Sequence, residues 1–167
     1  MGAWQPQLRL HVSSCSAHGT MLAASSGHLA RFWDVWAPFY DCPFVRERIG
    51  KIGDGGKYLC GVSSLLQRPG CLVFSIGSNG ETSFEEAILD STPCEVHTWD
   101  HTLDEAKKQV VLSVTGIKLH QIGLAGESSA VRADMMTLTA MLTELQRHWI
   151  DVLKMDIEAD MVDMDLQ

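Results

Sequence analysis

The segment Ser75-Ile76-Gly77-Ser78-Asn79-Gly80-Glu81 sets two glycines three positions apart, directly after the apolar run Cys71 to Ile76. Glycine at a strand-to-helix turn lets backbone come close to a ligand, because no Cβ intervenes; a plain tight turn is the alternative. Asp100 ends a second run, Glu95-Val96-His97-Thr98-Trp99, and stands 23 residues after Gly77. In a nucleotide-binding sheet an acid at that place, near that spacing, accepts hydrogen bonds from both ribose hydroxyls. Alone, Asp100 reads as a solvated strand end; paired with the glycine turn, it reads as a binding residue. His97 and His101 flank this strand end. Imidazole suits proton transfer near neutral pH, yet a packed or surface histidine is the preferred reading of both.

These residues need a scaffold, and the chain alternates strands with helices from Cys71 onward. Cys71 to Gly77 is a short apolar strand bounded by Pro69-Gly70 and by the glycine turn. Ser83 and Glu86 fit an S-x-x-E capping box opening a helix through about Leu89. Glu95 to Asp100 is the second strand, and a helix over Leu103 to Leu112 follows with Asp104 as an early-turn acid. Lys118 to Ile122 is the third strand. Leu138, Met141, Leu142 and Leu145 mark a helix face, and Ile150 to Ile157 is the fourth strand. This alternation predicts an α/β fold, a parallel sheet with helices on both faces. Upstream, Leu29, Phe32, Trp33, Trp36 and Phe39/Tyr40 recur at helical spacing and predict a packing helix. Residues 1–30 show no sustained period and read as a flexible leader, with 31–167 as the folded domain.

Composition narrows the function. Hydrophobic residues at 46% and charged residues at 20% are those of a globular chain. A formal net charge of −8 disfavours general nucleic-acid binding, which needs clustered Lys and Arg. Cys15, Cys42, Cys60, Cys71 and Cys94 contain no CxxC pair, so no metal site is expected, and structural or free thiols are favoured over disulfides. No run approaches the roughly 18 to 20 apolar residues of a membrane span. Residues 1–30 lack the features of a signal peptide. A soluble cytoplasmic protein is the expectation, the secretory route staying open should a signal precede this segment.

Four segments in order, Gly53-Asp54-Gly55-Gly56-Lys57-Tyr58-Leu59-Cys60, Phe74 to Gly80 with Phe84-Glu85-Glu86, Thr98-Trp99-Asp100, and Asp151-Val152-Leu153-Lys154-Met155-Asp156-Ile157-Glu158, resemble the motifs of the methyltransferase-like 24 type family. The last also resembles the FkbM-type methyltransferases. The resemblance covers roughly Phe44 to Glu158 and implies a seven-stranded Rossmann-like fold using S-adenosylmethionine. By position it sets Gly77 and Gly80, with Ser78 and Asn79 between them, against the amino-acid part of the cofactor. Asp100, with His101 beside it, goes to the ribose. Gly55, Gly56 and Lys57 fall in a cofactor-side loop, for which a tight surface turn is the plain alternative. Asp156 and Glu158 face the transfer centre as the catalytic candidates. Methyl transfer is a displacement on a sulfonium, so the protein aligns donor and acceptor and, where needed, removes an acceptor proton; Asp156 suits the second task.

The chain departs from that family after Glu158. Gly and an acidic residue usually follow, whereas Ala159-Asp160-Met161 here leads to Gln167, and the remaining strands of the sheet are missing. The expectation is a domain incomplete at its C-terminus, with a bare fourth-strand edge prone to self-association and little activity of its own. A non-catalytic binding or interaction module is the competing class. A NAD-dependent oxidoreductase ranks lower, since Gly77 to Thr82 lacks the third glycine of G-x-G-x-x-G. The methyl acceptor is not legible.

Overall fold

The computed structural model describes residues 40–126 and 133–157. The expected leader, nearly all of the aromatic helix, Cys15, Glu158 and the acidic Asp160, Asp163 and Asp165 lie outside those residues.

An antiparallel hairpin, β1 (Arg46–Ile49) and β2 (Lys57–Cys60), comes first. Then follow β3 (Leu72–Ile76), α1 (Ser83–Ser91), β4 (Glu95–Trp99), α2 (Glu105–Ser113) and β5 (Ile117–His120). A two-residue parallel pair, β6 (Gly123–Leu124) and β7 (Met135–Met136), leads to α3 (Leu138–Glu144) and β8 (Val152–Met155). The main sheet has the order β5-β4-β3-β8 and every pairing in it is parallel. Strand β3 is buried along its whole length, which is why its sequence is apolar at every position but Ser75 rather than alternating. The architecture is mixed α/β around a four-stranded parallel sheet, as expected.

The sheet divides the core in two. Val73 and Val96 face Phe84 and Ile88 of α1, with Ile49, Val62 and Leu65 beyond them. Leu72, Phe74, Ile76 and Trp99 face the other way, toward Leu124 and Met141 of α3. Helix starts are set locally: the Asp104 carboxylate accepts from the Lys107 amide at 2.8 Å, and the Thr137 hydroxyl accepts from the Ala140 amide at 3.1 Å.

Three expectations change. Thr82, not Ser83, is the N-cap of α1, and its hydroxyl donates to Glu86 Oε1 at 2.5 Å while that of Ser83 donates to Glu81. The strand and helix limits shift by one to two residues, the fourth strand losing both ends to Val152–Met155. The cysteines change most, because four of them form the disulfides Cys42–Cys60 and Cys71–Cys94. The cause is register. Leu72 lies opposite Glu95, so the residues just before them, Cys71 and Cys94, enter side by side on parallel neighbours, with Cα atoms 4.5 Å apart.

Candidate functional site

In the order β5-β4-β3-β8 the chain runs outward from β3 through β4 to β5, then returns to the far side of β3. Strand order therefore reverses between β3 and β8, and the carboxyl ends of these strands are where such sheets hold ligands. Gly77, Asp100 and Asp156 are the residues that leave β3, β4 and β8. Backbone bonds tie them: Gly77 N–H to Trp99 O, Asp100 N–H to His120 O and Asp156 N–H to Ile76 O, each 2.9 Å.

The turn after β3 needs its glycines for two different reasons. Gly77 has φ +79° and packs on the Asp156 carbonyl, which a Cβ would strike. Gly80 has φ +81°, and a Cβ there would lie 2.9 Å from Lys107 Cβ of α2. With Asn79 also at positive φ, 48°, the chain curls so that consecutive amides converge. Such a concavity ordinarily receives an anion. Here Asp100 occupies it. Its Oδ2 accepts from the amides of Ser78 at 2.9 Å and Asn79 at 2.8 Å and from the Ser78 hydroxyl at 3.3 Å. Its Oδ1 accepts from the Thr102 amide at 2.9 Å and hydroxyl at 2.7 Å. Burial of Asp100, only 4% exposed, works to raise its pKa, but the Thr102 hydroxyl and the amides of Asn79, Thr102 and Ser78 outweigh that and hold it below the ordinary aspartate value.

A carboxylate offers about four lone-pair sites, so Asp100 has almost no free accepting capacity. It shapes the turn first, and a ligand hydroxyl would have to replace the Ser78 or Thr102 hydroxyl rather than add to them. Asn79 reaches the other way, accepting from Lys107 Nζ at 2.6 Å.

Lys57 and Asp156, far apart in sequence, come together: Lys57 Nζ lies 2.8 Å from Asp156 Oδ2 and donates to the Asp54 carbonyl at 2.7 Å. The hairpin turn is seated by close contacts that only glycine permits, Gly55 against the Glu81 carboxylate and Gly56 against the Lys51 carbonyl. Burial pushes the Glu81 pKa up, but the Ser83 amide, Lys51 and the Ser83 hydroxyl bring it below its usual value. His101 turns from the turn toward β6, where a Cβ on Gly123 would sit 2.5 Å from its Nδ1. That nitrogen is buried without a hydrogen-bond partner, as is Trp99 Nε1. His97 is a packed histidine, its Nδ1 2.9 Å from His120 Nε2.

Beneath the turn lies a polar cluster whose members fall within the motifs but were given no role there. Lys154 Nζ and Glu85 Oε1 form a buried ion pair at 3.2 Å, and the Ser75 hydroxyl donates to the same oxygen. A lysine inside the apolar run Val152-Leu153-Lys154-Met155 was the available signal, since lysine is almost never fully buried unless paired.

A parallel α/β sheet with a glycine turn and acids at adjoining strand ends defines the class, a Rossmann-like methyltransferase fold. The chain belongs to the family described as "Methyltransferase domain", whose profile matches residues 7–166. No curated protein and no solved structure matches it. Among the described residues, no helix is long and apolar enough to cross a membrane.

Proposed function

We propose that this methyltransferase domain uses S-adenosylmethionine, bound at the carboxyl ends of β3, β4 and β8. The observation that carries the choice of cofactor is the carboxylate in the amide concavity. A dinucleotide cofactor brings an anionic pyrophosphate to the turn after the first strand and needs its free amides. Here the Ser78 and Asn79 amides are engaged by Asp100, whose charge repels a second anion. S-adenosylmethionine carries no phosphate, and its one carboxylate is outweighed by an ammonium and a sulfonium, a net positive charge compatible with a carboxylate-filled turn. Trp99 Nε1 and His101 Nδ1, at the same strand end, are buried without a hydrogen-bond partner.

In this reading Gly77, Ser78, Asn79 and Gly80 hold the amino-acid part. Asp100 fixes the turn and meets the ribose by exchanging a hydroxyl donor, with His101 alongside. Gly55, Gly56 and Lys57 form the flanking loop. When bound, S-adenosylmethionine supplies an electrophilic methyl group. The chain aligns an acceptor, and Asp156, about half exposed and tethered at one oxygen by Lys57, keeps its other oxygen for an acceptor proton. Glu158 shares this assignment on its sequence motif alone. The finer kinship is to the methyltransferase-like 24 type. The two disulfides favour an oxidising compartment over the cytoplasm, where thiols stay reduced.

Titration calorimetry of the 167-residue chain with S-adenosylmethionine, S-adenosylhomocysteine and NAD tests the reading. Tighter binding of the two sulfur compounds is expected; equal or tighter NAD binding overturns it.

A further inference from the structure

We propose that Lys154 and Glu85 are positioning residues that clamp the Gly77–Ser78 peptide and thereby set ligand affinity at the turn; the affinity half of this rests on the cofactor reading above. Ser75 and Lys154 are register partners on β3 and β8, under the helix α1 that carries Glu85. Glu85 is 0% exposed and Lys154 7%. Lys154 Nζ is held by Glu85 Oε1 and lies 5.6 Å over the Phe84 ring, and it donates to the Gly77 carbonyl at 3.4 Å.

That carbonyl and the Ser78 N–H belong to one peptide unit, all peptides among the described residues being trans. Carbonyl and N–H point oppositely across a trans peptide. The ammonium of Lys154 thus sits at the negative end of the unit's dipole and the Asp100 carboxylate at the positive end. Both charges resist rotation of this plane, and with it any swing of the turn. Gly77, at φ +79°, has the conformational freedom that makes such a clamp necessary.

Core stability does not require this arrangement. A buried ion pair is often no more stabilising than an apolar pair of the same volume, while removing one partner strands the other charge. Glu85 Oε2 is moreover buried with no hydrogen-bond partner, an acceptor that a pair kept for stability alone would satisfy. What the pair does that two methionines could not is reach the Gly77 carbonyl with a charge.

The test compares Lys154→Met, the double variant Lys154→Met/Glu85→Met, and Glu85→Gln in the full chain. Melting, S-adenosylhomocysteine titration and amide hydrogen exchange at Ser78 and Asn79 are read on each. The single Lys154→Met loses stability; the double regains it but binds about tenfold or more weakly, as expected for loss of a charge-assisted hydrogen bond. It also exchanges the Ser78 amide faster while β3 amides are unchanged. Wild-type affinity in a folded double variant overturns the proposal and leaves the cofactor reading intact. Should the wild-type chain itself not bind S-adenosylhomocysteine, the cofactor reading falls and the affinity half of the proposal with it. The exchange data then judge the clamp alone: faster Ser78 exchange in the double sustains it, unchanged exchange removes it. If the double does not melt cooperatively, Glu85→Gln decides, severalfold weaker binding upholding the proposal and unchanged binding refuting it.

Discussion

Replacing Asp100 by Asn should destabilise the chain by about 3 kcal/mol, and the figure follows from which donors surround the carboxylate. Oδ2 serves the amides of Ser78 and Asn79, and Oδ1 serves the amide and hydroxyl of Thr102. Asparagine keeps one acceptor oxygen and turns an NH₂ toward the other set. The cheaper orientation aims NH₂ at Thr102, whose hydroxyl can rotate to accept but whose amide cannot. Thr102 is exposed, so water relieves that amide and its cost stays near the lower end of roughly 1–3 kcal/mol. The two amides left on the oxygen lose their charge assistance, about 1 kcal/mol each. For a chain of this size 1 kcal/mol shifts Tm by roughly 2–4 °C, so a fall of about 6–12 °C is expected at pH 7. The pH dependence gives a second check. The folded-state pKa of Asp100 is depressed, so its contribution is present above the unfolded value near pH 4 and is lost as pH falls through the folded value. The gap between wild type and variant should therefore hold from pH 8 to 5 and narrow below about pH 4. A cooperative Asp100→Asn variant melting within about 2 °C of wild type at pH 7 would refute the carboxylate-filled turn.

Peptide mapping of the non-reduced chain should find Cys42 linked to Cys60 and Cys71 to Cys94, across sequence separations of 18 and 23. Reduction should lower Tm, each cross-link of that span being worth about 3 kcal/mol by loop-closure entropy; free thiols at these four positions would remove the argument for an oxidising compartment. Burial first, then the charges of His120 and Lys118, lower His97 to about 4, so between the unfolded value near 6.5 and that pH the unfolded chain binds the extra proton. Stability should fall as pH drops through this window, and His97→Gln should flatten that slope in urea titrations; an unchanged slope would place the acid sensitivity elsewhere.

The four strands of the main sheet and the helices between them were legible because an apolar strand between helical stripes has few other ways to bury itself, whereas the two-residue strands β6 and β7 carry no such pattern. Gly77 and Asp100 were legible for the same reason: they mark where strands end, and the parallel topology brings strand ends together. Their contacts were not. That Asp100 turns back into the Ser78 and Asn79 amides depends on three positive-φ residues whose curl no spacing rule encodes. The pairings of Lys57 with Asp156, of Lys154 with Glu85 and of Ser75 with Glu85 join residues 99, 69 and 10 positions apart. Such pairs are chosen by sheet register and by the face a helix covers. The cysteines show the division most clearly: the chain by itself offers five thiols with no motif, and only the register of β3 on β4 and the return of the chain over β2 bring four of them within bonding reach. Local sequence determined which segments would be strand, turn or helix, since propensity and burial act over a few residues; tertiary packing decided which polar groups meet, since that depends on distances no local rule contains.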